Sequence, residues 1–283
     1  MGAGRVATAL GVLLSRAGHN VVAASGRAAS RDRVAAFLPG TRFDGDPSTA
    51  AASASTVVIG VPDDLIQPTC EALASSGAAG AGRRVLHLSG AATLEVLASA
   101  RASGADVLSL HPLQSFPDVD TGIERLPGSG IAVTAADPRV AHFGEALARD
   151  AGGRPFPLED SVKSLYHSAA VFAANYLVTV EGLAERVLRA SGVEDPLSLL
   201  EPLARTSFDR AFSLGPGAAL TGPVVRADVG TLRRNLEALA AGAPDLVPAY
   251  ATLASAAADV ALDANRIDAE QRRSIREVLA SWT

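Results

Sequence analysis

Gly2-Ala3-Gly4-Arg5-Val6-Ala7 matches the spacing Gly-x-Gly-x-x-Ala and runs straight into an apolar-periodic helix through Leu10, Leu13 and Leu14 to Ala17. Glycines at those two positions let the backbone approach a pyrophosphate, and the helix start offers unpaired N–H groups and the positive end of a dipole. A strand after Gly18-His19, then a polar loop, supplies the context such a motif needs. Gly2, Gly4, Arg5 and Val6 are therefore candidates for holding a dinucleotide. The motif should follow a central strand, yet Gly2 comes directly after Met1. Omitting the middle strand of a parallel sheet leaves unpaired backbone on both neighbours. The expectation is that the natural protein carries roughly 10 more residues upstream, a strand of about 5–6 with a short lead-in.

The first half alternates β-branched runs with Ala/Leu-rich stretches, the pattern of a doubly wound α/β domain with a mostly parallel sheet. Expected strands are Asn20–Ala24, Thr56–Val61, Arg84–Leu88, Val107–Leu110 and Gly130–Thr134, with helices at Leu65–Ala74, Leu94–Ala100 and Arg139–Ala151. Ligands of open α/β sheets bind at the carboxyl ends of strands. The four loops there, Ser25-Gly26-Arg27, Pro62-Asp63-Asp64, Ser89-Gly90 and His111-Pro112, thus outline one crevice, and Ser25, Arg27, Val61, Pro62, Asp63, Ser89 and Gly90 join the cofactor-binding candidates. After Arg154-Pro155-Phe156-Pro157 strand signals vanish and helical periodicity takes over. The expected boundary separates a dinucleotide-binding domain, residues 1–157, from an all-α domain, residues 158–283. Expected helices there are Asp160–Ala190, Leu197–Leu214, Asp228–Ala240, Pro244–Ala264 and Ala269–Ser281.

Charge narrows the ligand. The end of the second strand ordinarily carries an acid for the ribose hydroxyls of NAD. Here Ser25 and Arg27, with Arg31 near, would neutralise a 2′-phosphate, so the cofactor expected is NADP. The 283 residues carry 25 Lys and Arg against 30 Asp and Glu, a formal charge of −5, which argues against a nucleic-acid partner. A single cysteine, Cys70, excludes an internal disulfide and fits a reducing cytoplasm. The most apolar stretch, Ala169–Val180, is interrupted by Asn175 and too short to span a bilayer, so a soluble protein with no membrane partner is expected. Five scattered histidines without a His-x-x-x-His pair or an acidic cluster give no metal site. Gly-x-Ser-x-Gly is absent, so Ser89 is no elbow nucleophile.

Six segments taken together are distinctive: the glycine loop, Gly60-Val61-Pro62-Asp63-Asp64, His87-Leu88-Ser89-Gly90-Ala91, His111-Pro112-Leu113-Gln114-Ser115-Phe116, Tyr166-His167-Ser168-Ala169-Ala170 with Asn175-Tyr176-Leu177, and Leu220-Thr221-Gly222-Pro223-Val224-Val225-Arg226. They resemble bacterial Rossmann-like proteins that carry a helical C-terminal domain of unknown function, within the 6-phosphogluconate dehydrogenase-like superfamily. That superfamily includes ketopantoate reductase and pyrroline-5-carboxylate reductase, so the resemblance implies hydride transfer without naming the substrate. It further implies a homodimer joined through the helical domain, and a lysine acid on the first helix of that domain.

Reducing a carbonyl needs a donor where negative charge develops on oxygen, and an anchor for the rest of the substrate. On an ideal helix Lys163 and His167 lie about 6 Å apart on one face, while Lys163 and Asn175 are about 18 Å and 120° apart, too far to share one small carbonyl. His167, Lys163 and Asn175 are the catalytic candidates, with His167 the common member. Each has a plainer reading: His167 satisfying a backbone carbonyl, Lys163 solvated beside Glu159, Asn175 bonded to a facing helix. His111, Gln114, Ser115, Thr221 and Arg226 are candidates for the substrate, Arg226 for a carboxylate, unless it merely pairs with Asp228. The expected activity is NADPH-dependent reduction of a small 2-oxo acid, ketopantoate first. The alternatives are reduction of a cyclic imine such as pyrroline-5-carboxylate, or a non-catalytic NADP(H)-binding regulator.

Overall fold

The computed structural model describes residues 1–282, whose internal contacts divide them into two compact units meeting at Asn175/Tyr176. In the first, the glycine loop leads into α1 (Arg5–Arg16), followed by β1 (Ala23–Ser25), α2 (Ala28–Phe37), β2 (Arg42–Asp44), α3 (Pro47–Ala51) and β3 (Thr56–Ile59). Then come α4 (Ile66–Ser75), β4 (Arg84–His87), α5 (Ala98–Ala102), β5 (Asp106–Pro112), α6 (Val119–Arg125), β6 (Gly130–Thr134), α7 (Pro138–Asp150), β7 (Arg154–Pro157) and α8 (Lys163–Val171).

Strands β3 to β7 form one sheet in sequence order, parallel except for the antiparallel β5–β6 pair. Side chains alternate across it as the strand period of two requires. Val85 and Val107 pack with Ile59, Ile66 and Leu73 on one face, whereas Leu86 and Leu108 pack with Leu10, Leu13 and Leu147 on the other. Both faces are covered, which is why these strands read as nearly continuous apolar runs.

Strands β1 and β2 form a separate parallel pair, and among the described residues no strand joins it to the larger sheet. Met1 and Gly2 tie the two together at the carboxyl ends of β1 and β3. Gly2 N donates to Ser25 O at 3.0 Å, and Gly60 N donates to Met1 O at 2.8 Å.

Several elements depart from the sequence reading. The strand expected at Asn20–Ala24 is short and shifted to Ala23–Ser25, and α2, β2 and α3 fill a stretch left unassigned. Arg154–Pro157, read as the seam between domains, is strand β7, which pairs with β6. Its two prolines hid it, since proline is tolerated only at edges, and β7 is the edge. The single helix expected over Asp160–Ala190 is interrupted by a π turn at Phe172–Tyr176, giving α8 and then α9 (Leu177–Ala190). The break between units falls within that turn, because α8 contacts the sheet through Lys163.

The second unit is helical throughout: α9, α10 (Pro196–Leu214), α11 (Pro216–Ala219), α12 (Val229–Gly242), α13 (Val247–Asp263) and α14 (Ala269–Ala280). Its core gathers Leu232, Leu236, Ala251, Ala258 and Ile275 from α12, α13 and α14. Among the described residues no helix is long and apolar enough to cross a membrane.

Candidate active site

The carboxyl ends of β1 and β3 and the start of α1 enclose a pocket of about 410 Å³ lined by Gly2, Gly4, Ser25, Arg27, Val61 and Pro62, all singled out from sequence. Gly26, Ser30 and Thr69 join them. Gly2 has φ +72°, and a Cβ there would stand 2.5 Å from Val61 Cγ1, so only glycine lets the loop lie against β3. Thr8 N makes the first bond of α1, to Gly4 O, leaving the N–H groups of Arg5, Val6 and Ala7 at the helix start, as an anion site requires. The residues present thus fit the pyrophosphate of a dinucleotide.

Three details differ from the expectation. The Arg5 side chain donates to Pro117 O (2.7 Å), while Val6 packs against the core. Ser25 is buried, its hydroxyl donating to Met1 Sδ at 3.1 Å, and Ser30 lines the pocket with it beside Arg27. Arg31 lies over the Phe43 ring, 5.4 Å from its centroid. Arg33, which looks from sequence like any surface arginine, donates to Ala3 O at 2.8 Å and braces the glycine loop.

The carboxyl ends of β4 and β5 meet α8 in a second cluster. Lys163 is 1% exposed, and its Nζ donates to Ser109 Oγ at 2.8 Å and to Ser89 O at 3.2 Å. The reading of a solvated lysine beside Glu159 is thereby overturned. Burial pulls the amine down to about 8, with Asp160 and Asp63 opposing the shift. Ser89 Oγ donates to Asp63 Oδ2 at 2.7 Å and accepts from the N–H groups of Ala91 and Ala92, which locks the Ser89-Gly90 turn.

His111 and His167 close on that turn. A Cβ on Gly90 would lie 2.8 Å from His111 Nε2 and 2.8 Å from His167 Nδ1, and the two rings stand edge to face with centroids 5.9 Å apart. His167 Nδ1 is buried and has no hydrogen-bond partner, so it does not satisfy a backbone carbonyl there. His111 Nδ1 meets the Tyr166 hydroxyl at 2.8 Å. Burial, then the neighbouring His167 and Lys163, pushes His111 down to about 4, so its ring is neutral at physiological pH. Burial likewise raises Tyr166 to about 12. His87 in β4 is buried and held neutral, its pKa lowered to about 3 by burial and by Lys163 and His111.

Helix α8 therefore brings Lys163 and His167 to Asp63, Ser89, Gly90 and His111. Other candidates lie elsewhere. Gln114 spends its amide on Arg125 O and Ser129 Oγ, and its carbonyl on Ser115 N, pinning the loop after β5. Asn175 sits in the π turn at the last position of the first unit. Thr221 and Arg226 belong to the second unit, in the turn before α12. Asp228 caps α12 through Thr231, whose hydrogen bonds, with the charges of Arg234 and Arg226, hold its carboxyl below the usual range, and Arg226 is exposed. Sequence reasoning passed over Ser109 and Tyr166. A serine inside Val107-Leu108-Ser109-Leu110 was a usable signal, since a buried hydroxyl needs a partner. Among the described residues no group of His, Cys, Asp and Glu is arranged to hold a metal ion.

Comparisons with known proteins agree with this architecture. A family model for a Rossmann-like domain matches residues 1–112, and one described as a domain of unknown function (DUF2520) matches residues 129–257. The chain is a Rossmann-like domain followed by a DUF2520 domain, the pairing its motifs resemble. A search of curated proteins finds no match. Among solved structures, a protein from Bacteroides fragilis assigned as an NADP oxidoreductase is 21% identical with a TM-score of 0.72, covering 91% of this chain and 96% of its own. An imine reductase from Myxococcus stipitatus, solved in complex with NADP+, is 17% identical with a TM-score of 0.63, over 99% of this chain and 97% of its own. A reductive aminase from Aspergillus terreus, in complex with NADPH and ethyl levulinate, is 19% identical with a TM-score of 0.58, over 99% and 90%. At these identities the likeness shows the shared fold.

Proposed function

We propose that the chain is an NADPH-dependent reductase of a small 2-oxo acid, with ketopantoate the first compound to assay. One observation carries the reading: Lys163, His111 and His167 converge on the Ser89-Gly90 turn, at the same edge of the sheet as the glycine-loop pocket. Gly2, Gly4, Arg27 and Ser30 would hold the cofactor's phosphates. Bound NADPH supplies a hydride for a carbonyl carbon. The chain's own groups then meet the charge that develops on oxygen. Lys163 Nζ keeps a proton below a pH of about 8 and His167 Nδ1 has no protein partner, so both are proton carriers beside the turn. Structural neighbours that are imine reductases support a second reading, reduction of a cyclic imine. Following NADPH oxidation across 2-oxo acids and cyclic imines tests both. Tight NADPH binding without turnover on either class would leave the non-catalytic regulator.

Cofactor choice rests on Arg27. Arg27→Ala should weaken NADPH binding about 10–100-fold, the worth of a charge-assisted contact, and leave NADH nearly unchanged. Fluorescence titration of both cofactors reads this, and equal losses would refute a 2′-phosphate contact.

A homodimer through the helical unit belongs to the same proposal. No residue of α9 is buried, and Val178, Leu199, Leu203 and Phe212 on α9 and α10 are 71%, 65%, 67% and 87% exposed. Apolar surface of that extent on two neighbouring helices is what a C2 interface covers. Light scattering at low micromolar concentration should give about twice 28.7 kDa; the monomer mass, unchanged by NADPH, would refute it.

A further inference from the structure

The Tyr166 hydroxyl and His111 Nδ1 lie 2.8 Å apart, one turn of helix placing the phenol beside a strand-end imidazole. One of the two must be the donor. If Nδ1 carried the proton, the half-buried hydroxyl would have no protein acceptor for its own hydrogen, since His111 is its one hydrogen-bond partner. With the phenol donating, its hydrogen and the Nδ1 lone pair are both used, and the imidazole proton is displaced to Nε2. Phe156 and His111 both pack edge-on to the Tyr166 ring, with centroids 6.0 and 5.5 Å away, and hold the phenol in place. Nε2 has no protein partner, is not sealed from solvent, and lies against the Gly90 turn beside His167 Nδ1.

We propose that Tyr166 is a positioning residue: by donating to His111 Nδ1 it fixes the neutral imidazole as its Nε2–H tautomer and makes His111 a hydrogen-bond donor to an acceptor oxygen of the substrate. The inference rests on the reductase reading and adds a substrate class to it. The carbonyl oxygen at the reacting carbon accepts from Nε2–H. A protonated cyclic imine carries an N–H of its own and finds no acceptor there. The pair therefore selects an oxo compound over an iminium ion.

Long-range proton–nitrogen spectra of protein labelled with ¹⁵N-histidine report which ring nitrogen bears the proton, with the His111 signals assigned by their loss in His111→Gln. The expected result is a protonated Nε2 and bare Nδ1 in the unmodified protein, and a mixture of tautomers in Tyr166→Phe. In assays, Tyr166→Phe should lower kcat on a 2-oxo acid by about 10²-fold, the scale of a lost oxyanion donor, while shifting cyclic-imine reduction far less. The amide of His111→Gln needs no tautomer, so adding Tyr166→Phe to it should cost nothing further. A proton on Nδ1 in the unmodified protein, or an unchanged tautomer in Tyr166→Phe, overturns the proposal. The spectra need no turnover and no variant fold: if the protein reduces neither substrate class the reductase reading fails, while the tautomer of the unmodified protein still decides this one.

Discussion

Lys163→Met is expected to lower turnover by about 10²–10⁴-fold, the range for a lost general acid, while leaving the protein as stable as before or more so. Both halves follow from one location. The amine is buried, and its pKa falls from 10.5 to about 8 because the charged form is poorly solvated. A folded-state pKa below the unfolded one means that the fold disfavours the charge. The penalty is complete below about pH 8, shrinks as pH rises toward 10.5, and amounts to about 3 kcal/mol at 1.36 kcal/mol per unit. Methionine fills the same volume without it. Neither partner is orphaned, since Ser109 Oγ already reaches Ser89 O at 3.4 Å. Urea denaturation at pH 7 and pH 10 reads the stability half, where the variant's advantage should narrow at the higher pH. Turnover of the unmodified enzyme should fall as pH rises through about 8, where the amine loses its proton. His167→Ala is the paired measurement. A lysine variant that keeps its rate beside a histidine variant that loses it would hand the proton to His167.

Gly90→Ala should cost about 10²-fold in turnover, more than it costs in NADPH affinity. The added Cβ would stand 2.8 Å from His111 Cε1, His111 Nε2 and His167 Nδ1. Both imidazoles must then shift, and small misplacements of reacting groups are felt at about that size. Gly90 does not have a positive φ, so alanine suits the backbone and the whole effect is steric. Overpacking should also remove about 1–3 kcal/mol of stability. A crystal structure of the variant with both rings in place and full activity would show that the histidines do not act from these positions.

The histidines illustrate how far the residues alone could be read. His111 was found because a polar residue at the end of a parallel strand faces the crevice, and His167 because it lies four residues from Lys163 on a helix; both inferences need only strand and helix periodicity. That they share Gly90 could not be read, for their contact joins residues from β5, α8 and the turn after β4. Lys163 stayed ambiguous for a related reason. Helical spacing put Glu159 within reach of it, but whether a lysine is solvated or buried depends on what packs over it, and Ser89 and Ser109 lie far away in sequence.

Sequence by itself determined the two-part architecture, the glycine loop at a helix start, and the set of strand ends that line the crevice. Each is written in local terms: a period of two or 3.6, a glycine where the backbone must come close, an arginine where an acid would repel phosphate. Only the tertiary structure decided that β7 is an edge strand although it holds two prolines, that Ser30 joins Ser25 at the pocket, and that Tyr166 bonds to His111. Those outcomes depend on pairing and burial between segments distant in the chain. A side chain's protonation, partner and exposure are set by its neighbours in space, and one-dimensional spacing carries none of that information.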